Sequence, residues 1–160
     1  NLRRKTTQVR ILPSAQTEIS LPPWYNLPMD DKQKIISYWL FGSKDALETA
    51  EALYQSGKYN YCLFFCHLSL EKRLKAIIVA VDDTAAPYTH KLFQLVKLTR
   101  LPISDTQLDE LRTITDLNLD ARYEEYKLEF YHKATKEYCE EWYQKTKALL
   151  VWLETQSTNQ

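Results

Sequence analysis

Two glycines, Gly42 and Gly57, are all that the 160 residues contain. An average globular chain of this length would hold about eleven. Glycine supplies the positive backbone angles that tight hairpins and bulges require, so a chain this poor in it has few ways to fold strands back on themselves. Its wealth of Leu, Glu, Lys and Ala points the same way, against an all-β fold. Neither glycine has a glycine neighbour. The dinucleotide-binding G-x-G-x-x-G, the phosphate-cradling P-loop and the G-x-S-x-G nucleophile elbow are therefore excluded. What remains is an all-α fold, read as an antiparallel bundle of about five helices.

The length suits one domain, able to bury roughly 70% of its extended-chain surface without metal or disulfides. Apolar residues at 44% and charged residues at 26% are ordinary for a globular chain. Lys plus Arg equals Asp plus Glu, 21 against 21, which leaves no global electrostatic footprint for nucleic acid or an anionic membrane. Arg3, Arg4, Lys5 and Arg10 form a local basic stretch, read as a frayed, solvated terminus in preference to an arm that touches phosphate. Cys62, Cys66 and Cys139 lie in apolar helical patterns without C-x-x-C spacing and read as buried, reduced thiols of a cytoplasmic protein. No apolar stretch approaches the ~18 residues of a membrane span, and no signal-like apolar run opens the sequence. The sequence starts on Asn1, so the natural N-terminus is expected to be processed or missing.

Residues 1–29 hold four of the six prolines and no sustained period. They read as an extended arm whose Leu21, Trp24, Tyr25 and Leu27 are available to pack on the bundle at 30–156, with a disordered tail at 157–160. Asp30 and Asp31 favour a helix start by opposing its dipole. Ile35, Ile36, Trp39, Leu40, Ala46, Leu47, Ala50 and Leu53 carry helical spacing down to Gly57, a C-terminal cap, with Gly42-Ser43 positioned to bend or divide the helix. A second helix, from about Lys58 to Val81, is apolar almost all round and therefore central. A short third helix is predicted over His90–Leu98, and a fourth capped by Ser104 or Asp105, with Leu108, Leu111, Ile114 and Leu117 on its inner face. Residues 118–129 read as irregular or partly helical. A closing helix is predicted from about Phe130 to Glu154, burying Ala134, Tyr138, Trp142, Thr146, Leu149 and Trp152 or Leu153.

Three histidines, His67, His90 and His132, limit the chemistry. Cys62 and Cys66 share a helix face but His67 turns ~100° away from Cys66, so core packing rather than a metal site is expected, and no cofactor. Spacing alone leaves a Cys–His nucleophile open. The informative feature is a polar stripe on the most apolar helix: His67, Glu71 and Lys75 at i, i+4 and i+8. Two readings stand. The stripe is solvated, its i,i+4 pairs worth a few tenths of a kcal/mol, or Glu71 is partly buried and needs a cation or donors. Arg122, Tyr123 and Tyr126 are candidate partners in the second case.

Ala46–Ala50, Gly57-Lys58-Tyr59, the run from Cys66 through Glu71-Lys72-Arg73-Leu74-Lys75-Ala76, then His90-Lys91-Leu92 and Ala121-Arg122-Tyr123 together resemble the HEPN domain over about residues 37–154. The resemblance implies a small helical bundle, usually dimeric, associated with a minimal nucleotidyltransferase in toxin–antitoxin or defence-type systems. Many members resemble metal-independent RNases with an R-x(4–6)-H signature. Here Arg122 and His132 have nine residues between them. On one continuous helix that offset would place them ~80° and ~15 Å apart. The resemblance thus implies a non-catalytic nucleotide- or RNA-binding module, with ligand-binding residues His67, Glu71, Lys75, His90, Arg122 and Tyr123. The alternatives are an RNase using Arg122 with His132 or His90, and a structural scaffold. A homodimer is expected from the resemblance and from eleven tyrosines and four tryptophans in one small bundle. Glu71 and Arg122, in the family's E-K and A-R-Y elements, are expected to pair.

Overall fold

The structure, a computed structural model, describes residues 30–82, 85–122, 130 and 132–157. The arm at 1–29 and the end of the tail therefore lie outside the described residues. Five helices carry the fold: α1 (Asp31–Gln55), α2 (Tyr59–Asp82), α3 (Leu92–Leu98), α4 (Asp105–Arg122) and α5 (Lys136–Ser157). No strand occurs among the described residues. α2 packs against each of the other four helices. Its interior residues Cys62, Leu63, Leu70, Leu74 and Ile78 are 0–2% exposed, as an almost uniformly apolar sequence requires.

Local capping chemistry sets several boundaries. The Asp30 carboxylate accepts the Gln33 N–H at 2.7 Å and opens α1. Gly57, at φ 71°, closes it: its N–H bonds the Tyr54 carbonyl while the Lys58 N–H reaches back to Leu53. That crossed pair is a Schellman motif, and it needs the left-handed angle that glycine adopts without strain. Before α4, Ser104 Oγ accepts the Gln107 N–H and the Gln107 side chain accepts the Ser104 N–H, a reciprocal capping box.

Three expectations are corrected. α1 runs unbroken through Gly42-Ser43. Gly42 lies where a Cβ would meet Lys72 Cδ and Nζ at 3.0 Å, and Ser43 Oγ donates to the Ser69 carbonyl at 2.7 Å. The small residues bring α1 close to α2 and do not break it. α3 starts at Leu92, two residues later than expected, because Thr89 Oγ1 takes the Lys91 N–H and Lys91 stays extended. α5 starts at Lys136, where Thr135 Oγ1 accepts the Tyr138 N–H and separates α5 from helical residues at 130 and 132–133. It also runs through Ser157, past the expected Glu154. Its core contribution comes from Cys139, Trp142, Tyr143, Thr146, Leu149, Leu150 and Leu153, with Ala134 buried just before it.

The two glycines predict opposite outcomes on substitution. Gly42→Ala places a methyl against the flexible end of Lys72, which can swing aside, and gains helix propensity. A stabilisation of roughly 0.5–1 kcal/mol is expected. Gly57→Ala forces a Cβ into the left-handed region and should cost about 1 kcal/mol. Urea midpoints of the two variants on opposite sides of wild type are the expected result.

Candidate functional site

The polar stripe of α2 is buried, which resolves the first question about it. His67, Glu71 and Lys75 are 1%, 4% and 6% exposed. Lys75 Nζ donates to Glu71 Oε1 at 2.8 Å, one helical turn away. Above the stripe lies the segment 85–91, which brings in His90, and His90 Nδ1 contacts Glu71 Oε1 and Oε2 at 2.9 and 3.0 Å. His67 completes the hold: its Nε2 lies 2.9 Å from the His90 carbonyl oxygen. A carbonyl only accepts, so His67 Nε2 carries the hydrogen. Its Nδ1 sits 3.8 Å from Glu71 Oε2. Two residues on one face of α2 thus grip His90 by its backbone and by its ring.

Electrostatics follow from that arrangement. Burial alone pushes the Glu71 carboxyl up, but the hydrogen bonds from Lys75 and His90 outweigh it and hold the group below its ordinary 4.5. Glu71 is therefore ionised at neutral pH, and the Nδ1 facing it carries a hydrogen. Lys75 also lies over the Trp39 ring at 5.2 Å from its centroid, a cation–π contact supplied by α1. His90 differs from the rest because its side chain is 53% exposed. The cluster therefore presents one accessible imidazole, oriented from behind by a buried carboxylate.

Because the Glu71 carboxyl titrates lower in the folded than in the unfolded chain, its stabilisation is complete above 4.5 and disappears as pH falls through the lower folded value. Urea unfolding at stepped pH should show stability falling in that acid window, and Glu71→Gln should remove that component of the slope. An unchanged slope in the variant would remove Glu71 as its source.

His67, Glu71, Lys75 and His90 are thus together. The Arg122 side chain and Tyr123 lie outside the described residues, as does the expected pairing of Arg122 with Glu71; only the Arg122 backbone, at the end of α4, is described. His132 is exposed. Sequence reasoning assigned Trp39 to the α1 core and missed its place beside Lys75. The available signal was its position on the face of α1 that meets α2.

The cysteines are free and buried. The contact with Cys62 and burial both push the Cys139 thiol up, and its Sγ lies 3.6 Å from the Tyr59 carbonyl oxygen. Protonated, enclosed thiols of this kind pack and are poor nucleophiles. No cluster of three or more His, Cys, Asp or Glu residues suited to a metal occurs among the described residues. No described helix is long and apolar enough to cross a membrane.

The family model for the HEPN domain matches residues 36–156. Among solved structures, the chain is similar to the crystal structure of TT1696 from Thermus thermophilus, with a TM-score of 0.63 and 17% identity. The match covers 75% of this chain and 96% of that one, and at this identity it shows a shared fold. No curated protein matches the sequence.

Proposed function

The chain belongs to the HEPN domain family, and from that premise we propose that it is a non-catalytic nucleotide- or RNA-binding module, dimeric and acting with a nucleotidyltransferase partner, that receives a phosphate at His90. The observation that carries the reading is the exposed His90 ring backed by buried Glu71. Glu71 and Lys75 cancel in charge, so the carboxylate behind His90 does not repel an approaching anion. Nε2 is the ring nitrogen left to meet a ligand, and the phosphate of a nucleotide or RNA is the proposed one. Lys75, buried and committed to Glu71, holds the carboxylate in place and does not reach out to the ligand itself. Arg122 and Tyr123 remain proposed as further phosphate and stacking contacts on the family pattern.

The test is a titration of the dimer-sized fraction with labelled ATP and with a short single-stranded RNA, using wild type and His90→Ala. Loss of one charge-assisted hydrogen bond predicts about 10–150-fold weaker binding. Equal affinity in the two proteins, or no binding by wild type, would overturn the reading.

One contact favours a second reading. The Glu71–His90 bond at 2.9 Å is also the arrangement by which a carboxylate orients an imidazole for proton transfer. In an RNase of this kind Arg122 would stabilise the transition-state charge. The same RNA run on a gel separates the two: shortening by wild type and none by His90→Ala supports catalysis.

A further inference from the structure

Two adjoining cavities open along one flank of the α1–α2 pair. The first, of about 460 Å³, is walled by Ile36, Leu40, Ile77 and Val81. The second, of about 420 Å³, continues from Leu40 to Leu47 and Leu150. Arg73 borders both. Its side chain is 16% exposed and lies 3.7 Å from Glu154 through Nη1, while its buried Nε has no hydrogen-bond partner among the described residues. The result is an apolar groove with one spare N–H donor midway along it.

We infer that this groove seats an extended proline-rich segment, and that residues 21–28 of the same chain, Leu-Pro-Pro-Trp-Tyr-Asn-Leu-Pro, are its occupant. Position comes first: the segment joins α1 at Asp30, and Ile36 at the near end of the groove lies about 9 Å up that helix. Length agrees. Eight residues in polyproline II geometry span about 25 Å, and the groove from Ile36 to Leu47 follows roughly 17 Å of helix. Composition agrees as well, since residues 19–29 carry no charge and include Leu21, Trp24, Tyr25 and Leu27. The hydrogen bonding is complementary too. A polyproline II backbone makes no internal hydrogen bonds, so its carbonyls need donors, and Arg73 Nε–H is a donor in need of an acceptor.

Disulfide trapping in the full chain tests the inference. Ser20→Cys is combined in one protein with Lys44→Cys, which lies in the groove, and in another with Asp45→Cys, which is exposed but does not line it. The two partner positions are adjacent, so the tether from Ser20 to each has nearly the same length, and the natural cysteines are buried. A seated segment should close the Lys44 pair within one chain at least about tenfold faster than the Asp45 pair under mild oxidation. Equal rates would show that the groove does not hold the segment. Disulfides formed mainly between chains would show that a second copy fills it. Both results overturn the inference, and circular dichroism on each variant checks that the substitutions leave the bundle folded.

Discussion

Glu71→Ala should unfold at a much lower urea concentration than wild type, with a loss of about 3–5 kcal/mol and a fall in Tm of roughly 6–20 °C. The substitution removes the carboxylate that Lys75 and His90 both contact. Lys75 is 6% exposed, so its ammonium is left in a poorly hydrated site beside the Trp39 ring. Breaking one side of a buried pair is costly because the remaining charge has neither water nor partner. Glu71→Gln with Lys75→Met, which removes both charges and keeps most of the volume, should recover most of the loss. If Glu71→Ala costs under about 1 kcal/mol, the pair behaves as an exposed surface ion pair and the buried cluster fails as an organising element.

Leu74→Ala should cost about 2–5 kcal/mol by a different route, the loss of buried apolar surface and the cavity left behind. Leu74 is 0% exposed on the helix that contacts all four others, so there is little freedom to collapse around the gap. Val151→Ala, at a 59% exposed position, should change stability by under about 0.5 kcal/mol. Calorimetry across pH separates the two mechanisms. The deficit of Glu71→Ala should shrink as pH falls from 4.5 through the lower folded value of Glu71, where the wild type also loses its carboxylate charge, while the deficit of Leu74→Ala should stay constant.

What the sequence reveals divides by the range of the forces involved. The Asp30 cap, the Gly57 terminus and the Ser104 box are legible because each depends on residues three to five positions apart. The centrality of α2 is legible because its apolar residues almost encircle it. Continuity at Gly42 is not, since it depends on Lys72 and Ser69 of another helix. Likewise hidden is the hold of His67, more than twenty residues earlier, on the His90 carbonyl, which adds to the local Thr89–Lys91 contact in keeping His90 out of α3. In the site, i, i+4, i+8 spacing identifies His67, Glu71 and Lys75 as one group, and the family pattern adds His90. Spacing gives no sign that His67 serves the backbone of His90, nor that Trp39 lies beside Lys75.

The turn at Gly57 has a consequence for the order of assembly. Only Ser56, Gly57 and Lys58 separate α1 from α2, so the two helices meet with little loss of chain entropy. α5 starts at Lys136 and must find α2 across more than fifty intervening residues. On a ribosome the hairpin emerges first, already carrying the charged stripe and the apolar surface that faces α5. Until α5 arrives, that surface lacks the helix that covers it, and the nascent protein is exposed to wrong partners while the α1–α2 hairpin is already built.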